Sequence, residues 1–100
     1  MEIAVTDVPE RERFEARDEE GALAGVLTYQ LTGGIVAYTH TTVDPQFEGH
    51  GVGSALARAA MDDARAKGRT VVPICPFLVG WLEKHPGYEA MLARSTRRIK

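Results

Sequence analysis

The feature that most constrains this chain is the hexapeptide Gly-His-Gly-Val-Gly-Ser at residues 49–54, which joins an apolar segment to an amphipathic one. Glycine has no Cβ, so three alternating glycines let the backbone approach a bulky anion closely. The amphipathic segment predicts a helix whose free N–H groups and positive dipole end point into the loop. The hexapeptide therefore predicts a cradle for a diphosphate-sized anion. A flexible turn without a ligand is the alternative, because short glycine patterns often arise without a function.

The residues around the hexapeptide exclude two other phosphate-binding loops. A dinucleotide fingerprint would need glycine at Ser54 and an acidic residue about twenty positions later, where residues 70–72 are Thr-Val-Val. A nucleotide-triphosphate loop would need lysine after its last glycine, where this chain has Ser54 and Ala55.

The composition predicts one soluble globular domain, since 44% of the 100 residues are hydrophobic and 26% are charged. A net charge of −2 offers no basic surface to nucleic acid or to an anionic membrane, so neither is an expected partner. The start of the chain does not resemble a signal peptide, no apolar run could span a bilayer, and a single cysteine cannot form an internal disulfide. These features predict a cytoplasmic protein. We assign the domain to residues 1–93 and a basic tail to residues 94–100.

The hydrophobic pattern predicts an α+β fold. Four strands are expected as an antiparallel meander at residues 3–5, 11–17, 22–31 and 35–43. Helical spacing of apolar residues predicts a helix from Val52 that Gly68 ends in the left-handed conformation. Residues 70–74 are nearly all apolar, as in a strand covered on both faces, and Pro76 begins a second helix at residues 77–84. A strand, a helix and another strand imply a right-handed crossover between parallel strands.

Pro73 is unusual within a strand, because proline cannot donate a hydrogen bond to the sheet. It becomes tolerable if the two parallel strands have already parted at that point. The parted strands would leave a slot beside the glycine loop, and an extended ligand could bind there like an added strand.

Three segments resemble the small GCN5-related N-acetyltransferases, in the compact branch with a Val-Pro-x-Cys-Pro-Phe sequence. They are residues 48–56 (EGHGVGSAL), 71–77 (VVPICPF) and 85–88 (HPGY), and the resemblance covers about residues 40–88. It implies a mixed sheet with antiparallel N-terminal strands, a crossover with splayed parallel strands and a C-terminal helix. It also implies acetyl-CoA as the cosubstrate.

The resemblance further implies which residues bind the cosubstrate. Backbone N–H groups of the glycine loop would hold the pyrophosphate, and a bulky residue at Gly51 would fill that cradle. The strand residues before the loop would offer main-chain partners to the pantetheine and the acetyl carbonyl. The full predicted set is Thr41, Thr42, Val43, Gly49, His50, Gly51, Val52, Gly53, Ser54, Cys75 and Phe77.

The sequence departs from the wider superfamily at three places. Glu48 stands where arginine or glutamine is usual, although the compact branch commonly has glutamate there. Trp81 lies roughly where a tyrosine acid is frequent, so another group must protonate the departing thiolate. Only a few residues around Pro9 replace a helical insertion between the first two strands, which predicts a shallow, open acceptor site.

Aminolysis of a thioester needs a neutral amine, stabilisation of the oxyanion and a proton for the leaving sulfur. Cys75 ends a strand and precedes a helix N-terminus, which stabilises a thiolate. It is the candidate acid toward the CoA thiolate, or a nucleophile that carries the acetyl group. A buried, purely structural cysteine is the alternative.

His40 is the candidate base, acting through water, on a strand face that it should share with Tyr38 and Thr42. A surface or packing histidine is the alternative. The three histidines and one cysteine lack the spacing of a zinc site, so no metal is expected.

The predicted function is therefore transfer of an acetyl group from acetyl-CoA to an amine, by direct attack in a ternary complex. A peptide, a protein lysine or a small amine remains open as the acceptor. A CoA-binding or protein-interaction module with little or no activity is the alternative, and a protein that does not bind CoA is a third. The sequence does not determine the oligomeric state, and it is compatible with a monomer.

Overall fold

The computed structural model describes residues 2–93, so the predicted tail at residues 94–100 lies outside the described residues. Five strands form one sheet in sequence order: β1 (Ala4–Val8), β2 (Arg13–Arg17), β3 (Leu23–Thr32), β4 (Ile35–Val43) and β5 (Thr70–Pro73). Neighbouring strands are antiparallel except for β4 and β5, which are parallel. Two helices, α1 (Val52–Ala66) and α2 (Pro76–Lys84), follow β4 and β5. Short 3-10 turns occupy Pro9–Arg11, Pro45–Phe47 and Glu89–Met91. The predicted α+β architecture is confirmed. Neither described helix has the length and apolar character needed to cross a bilayer.

Helix α1 covers one face of the sheet, and its apolar side chains recur at helical spacing on the side that is buried. Val52, Leu56, Ala60 and Ala64 recur every four residues, and all four are buried. The Tyr38 hydroxyl of β4 donates to the Ala60 carbonyl at 2.7 Å, and burial raises the pKa of Tyr38, so the phenol remains protonated as a donor. After α1, Gly68 adopts φ +67°, which confirms the predicted left-handed end.

A β-bulge in β4 decides which side chains face the helices. Thr28 of β3 pairs with His40, whereas the next residue, Tyr29, pairs with Tyr38, so Thr39 is the extra residue. Because paired residues share a face, His40 lies on the face turned away from α1 and Tyr38 lies on the face that α1 covers. The prediction that His40 and Tyr38 share a face is therefore wrong. His40 and Thr42 do share one.

Strand β5 is less covered than its apolar sequence predicts. It is the last strand of the described sheet, beyond which only Leu92 forms an isolated bridge to Val71. Val71 and Pro73 are buried, but Val72 is only half-buried, and Ile74 follows the strand with 56% of its surface exposed. The prediction of a strand covered on both faces is wrong, because both described helices lie on one side of the sheet.

The opposite side of the sheet, called here the helix-free face, carries one buried carboxylate. Glu15 of β2 is 5% exposed and accepts hydrogen bonds at 2.9 Å from Arg13 and at 2.9 Å from Arg17. These two hydrogen bonds hold the pKa of Glu15 below its ordinary value of about 4.5, against the opposing effect of burial. Burial of this carboxylate is tolerable because it is paired.

The Glu15→Gln substitution should destabilise the protein most at neutral pH and progressively less as the pH falls. A depressed pKa adds stability that is fully present above the unfolded value, near 4.5, and is lost as the pH falls through the folded value. Urea-unfolding midpoints of the wild type and the variant, measured at about pH 7 and about pH 3, should therefore converge on acidification. A gap that stays constant across this range would contradict the assignment. The exposed Glu83→Gln variant serves as the control.

Candidate functional site

The glycine loop presents free backbone donors at the start of α1. Gly51 is the residue before the helix, with φ +76°, and the first helical hydrogen bond runs from the Ala55 N–H to the Gly51 carbonyl at 3.0 Å. Within residues 2–93, the N–H groups of Val52, Gly53 and Ser54 have no acceptor. Such a cluster of N–H groups at the positive end of a helix dipole suits an anion.

One predicted donor of the loop is already used. The His50 N–H donates to the Phe47 carbonyl at 3.3 Å, so it is not directed into the cradle. The side chains of His50 and Glu48 are exposed, and among the described residues neither forms an ion pair.

A cavity of about 380 Å³ lies against these donors. Phe77 of α2 forms part of its wall and is 44% exposed. A Cβ built on Gly53 would come within 2.7 Å of the Phe77 ring, so only glycine allows this ring to lie so close to the helix. The cavity is lined by Val43, Phe47, Glu48, Gly49, Gly51, Val52, Gly53, Ser54 and Phe77.

The Ser54 hydroxyl is oriented by Trp81 of α2. The Trp81 indole N–H donates to Ser54 Oγ at 2.9 Å. Trp81 itself is buried, with His85 stacked on it at a ring distance of 4.0 Å and the Arg58 guanidinium 5.4 Å from its ring centre. Because the indole occupies an acceptor position of the oxygen, the Ser54 hydroxyl hydrogen remains the group available to an anion.

Strands β4 and β5 part beside this loop. The Tyr38 carbonyl accepts from the N–H groups of both Ile74 and Cys75 at 3.0 Å, and no pairing between the two strands continues past Tyr38 and Pro73. The predicted parting of the two strands is confirmed, but it begins directly after Pro73, which still pairs with Tyr38. The remaining five residues of β4, 39–43, extend beyond the partner strand.

The open edge of β4 exposes the main chain of alternate residues. The Asp44 N–H donates to the Ala24 carbonyl of β3 at 2.8 Å. Because the N–H and C=O groups of alternate residues point to the same side of a strand, those of Thr42 also point toward β3. The N–H and C=O groups of Thr41 and Val43 therefore point toward the gap. Of the three predicted main-chain partners, Thr41 and Val43 have this orientation and Thr42 does not.

The structure brings Cys75 and Thr41 together across the gap. Cys75 Sγ lies 3.2 Å from Thr41 Oγ1, and Cys75 is 3% exposed at the residue before α2. His40 is exposed on the helix-free face, and its imidazole has no hydrogen-bond partner within residues 2–93. The two predicted catalytic side chains thus lie on opposite sides of the sheet.

Two contacts of the site were not predicted from the sequence. The Trp81–Ser54 hydrogen bond joins residues 27 positions apart, and the Thr41–Cys75 contact joins residues 34 positions apart. Pro76 after Cys75 signalled the start of α2, and the alternating glycines at residues 49–53 signalled an anion cradle, but no local pattern signals which side chains meet over such separations. In the part of the chain that the structure describes, no three His, Cys, Asp or Glu side chains are grouped as a metal ion would require.

A family model described as GCN5-related N-acetyl-transferase matches residues 13–91 of this sequence. The chain belongs to this family. A comparison with curated proteins gave no match. Among solved structures, a GCN5-like protein from Staphylococcus aureus superposes with a TM-score of 0.65 at 26% identity, covering 92% of this chain and 87% of its own.

Two further structures share the fold at lower identity. The ribosomal-protein-S18-alanine N-acetyltransferase from Escherichia coli has a TM-score of 0.55 at 22% identity, over 59% of this chain and 38% of its own. An acetyltransferase from Trypanosoma brucei has a TM-score of 0.50 at 23% identity, over 76% of this chain and 62% of its own. The chain spans well under half the length of the first of these. Membership of this family accounts for the fold.

Proposed function

We propose that this protein is an acetyl-CoA-dependent N-acetyltransferase that moves an acetyl group to an amine by direct attack in a ternary complex. The observation that carries the proposal is the coincidence of two features at one end of the sheet. Among the described residues, the first backbone N–H groups of α1 have no hydrogen-bond acceptor and lie beside a cavity. The adjacent edge of β4 has no partner strand in this part of the chain. A diphosphate joined to an extended, amide-containing arm fits this combination of donors and open edge.

The loop would bind the diphosphate through the N–H groups of Val52, Gly53 and Ser54, with the Ser54 hydroxyl as a fourth donor. The pantetheine arm would lie along the open edge of β4 and hydrogen-bond with the main chain of Thr41 and Val43. Phe77, which is 44% exposed at the cavity wall, would cover an apolar part of the ligand.

In the transfer, the amine nitrogen bonds to the acetyl carbon, the carbon–sulfur bond breaks, and the amine loses a proton while the CoA sulfur gains one. The 3.2 Å contact supports a relay for the second proton. The Cys75 thiol donates to Thr41 Oγ1, and the Thr41 hydroxyl donates to the departing sulfur. His40, exposed on the opposite face, would take the proton of the amine through water.

A CoA-binding module without efficient catalysis is the second candidate. The burial of Cys75 favours it, because a thiol that is 3% exposed and hydrogen-bonded to Thr41 also fits a structural role. Both candidates require that CoA binds, and only the first requires turnover.

Mass spectrometry of the purified protein with acetyl-CoA and a mixed panel of amines tests both. We expect a non-covalent CoA complex, an acetylated amine product, and no acetyl group on Cys75, because direct attack forms no acyl-enzyme. A CoA complex without any product would support the binding module instead. Absence of the complex would contradict both proposals.

A further inference from the structure

The helix-free face carries a positive cluster that the proposed function leaves unused. Arg11, Arg13 and Arg17 surround Glu15 at distances of 3.7, 2.7 and 2.9 Å between nitrogen and oxygen. Among residues 2–93, these arginines have no other carboxylate within ion-pair distance. One negative charge therefore faces three positive ones.

The two acidic residues that directly flank β2, Glu12 and Asp18, form no ion pair with these arginines. Asp18 uses Oδ1 to accept from the N–H groups of Glu20 and Ala22 at 2.9 Å, within the turn that follows β2. Glu12 lies in the turn before β2 with a left-handed φ of +53°, not on the strand. Arg17 also donates from Nη1 to the Gly21 carbonyl at 2.9 Å. The side chains of Arg13 and Arg17 remain 26% and 44% exposed, so their remaining guanidinium N–H groups are accessible to a ligand.

The strand register connects the cluster to the parted strands. Arg13 of β2 pairs with Thr28 of β3, and Thr28 pairs with His40 of β4, so the three residues form one row across the helix-free face. Neighbouring strands lie about 4.8 Å apart, so the backbones of Arg13 and His40 are separated by about 10 Å. The row ends at the bulge, next to the point where β4 and β5 separate.

Within residues 2–93, the open approach to that point for an acceptor is over the helix-free face. On the other side, α1 and α2 pack together through the Trp81–Ser54 hydrogen bond, and Cys75 at the start of α2 is buried. On the helix-free face, His40 and Thr42 are exposed. An amine that approaches the gap over this face passes His40, and the rest of its molecule extends over β3 toward β2.

We propose that the acceptor is a peptide with an acidic side chain about three residues from its reactive amine, and that Arg13 and Arg17 bind this carboxylate. The inference rests on the proposed function. An extended chain covers about 3.3 Å per residue, so three residues span the distance of about 10 Å from His40 to Arg13. Guanidinium groups bind carboxylates with favourable, two-pronged geometry, and the excess positive charge repels basic peptides.

The test uses three peptides that are identical except for Glu, Gln or Lys at the third residue from the amine. The wild type should show a kcat/KM about five-fold higher for the Glu peptide than for the Gln peptide, as expected of a partly exposed ion pair, and the lowest value for the Lys peptide. The Glu/Gln ratio should fall toward one at about 1 M salt, where charges are screened beyond about 3 Å.

Two variants should move this ratio in opposite directions. R13Q removes a positive charge of the cluster and should bring the Glu/Gln ratio close to one. E15Q removes the competing carboxylate and should raise the ratio above that of the wild type. The control is K67Q, which removes one positive charge just after the far end of α1 and should leave the ratio unchanged.

An equal kcat/KM for the Glu and Gln peptides, or a preference for the Lys peptide, would overturn the inference while leaving the proposed function intact. If the wild type acetylates none of the peptides, the mixed panel of amines decides the proposed function, and peptide binding decides the inference separately. Titration of the CoA-saturated protein with amine-blocked Glu and Gln peptides should still show tighter binding of the Glu peptide in the wild type. Equal affinities would refute the acidic acceptor.

Discussion

The Gly51→Val variant is expected to bind acetyl-CoA at least about 100-fold more weakly than the wild type. Gly51 has φ +76°, a left-handed conformation that costs an L-residue about 1–2 kcal/mol and a β-branched residue more. A valine there would relax the backbone and turn away the N–H groups of Val52 and Gly53. Hydrogen bonds to charged groups contribute about 1.5–3 kcal/mol each, so loss of two accounts for the expected change. Isothermal titration with acetyl-CoA measures it.

The structure adds a second physical reason to the one that the sequence suggested, which was that a side chain would fill the cradle. A Cβ built on Gly51 meets no atom within 4 Å, so no protein atom obstructs a side chain there. The requirement for glycine at this position comes from the backbone angle, whereas at Gly53 it comes from the Phe77 ring. Conformational strain therefore makes Gly51→Val sensitive even though its surroundings are open.

Gly68→Val is the matched control for this prediction. Gly68 has φ +67°, and a Cβ added there also meets nothing within 4 Å, but it lies beyond the other end of α1. Both variants should lower the melting temperature by similar amounts, and only Gly51→Val should weaken acetyl-CoA binding. Equal affinity losses in the two variants would show that binding merely follows stability, and an unchanged affinity in Gly51→Val would refute the loop assignment.

The parts of the fold that the sequence predicted correctly are determined by residues that are close together in the chain. The apolar spacing of α1, its end at Gly68 and the start of α2 at Pro76 follow from local preferences, and the structure has all three. Pro73 carried information over a longer range, because a residue without an N–H group indicates where a strand has no partner. The structure has the β4–β5 separation directly after this position, where Pro73 forms the last pair with Tyr38.

The parts that the sequence did not predict depend on register. One extra residue at Thr39 reverses the alternation of β4, and no signal in the sequence of that strand identifies the bulge. This reversal places His40 on the helix-free face and Thr41 on the face of Cys75. The exposure of β5 was missed for a similar reason, since an apolar strand indicates burial but does not indicate how many helices cover it.

The Cys75→Ala variant is expected to lower kcat by about 100-fold, the lower end of the usual range for loss of a general acid, while the affinity for CoA changes less than about two-fold. Cys75 Sγ is buried beside Thr41 and away from the cavity at the start of α1, so its removal leaves the groups that would bind the diphosphate in place. Steady-state kinetics with the best amine of the panel, together with titration of CoA, separates the two effects. An unchanged kcat would remove Cys75 from the mechanism.

Thr41→Val distinguishes a proton relay from a structural or a nucleophilic cysteine. Valine keeps the size of threonine but removes the Oγ1 atom that lies 3.2 Å from the sulfur. If Cys75 acts through Thr41, Thr41→Val should lower kcat about as much as Cys75→Ala, and the double variant should be no slower than either single one, because both remove the same path. Independent, multiplying effects would contradict the relay. If Cys75 is structural, Cys75→Ala should lower the melting temperature without lowering kcat. If Cys75 is a nucleophile, an acetyl group should form on it and persist in the Thr41→Val variant.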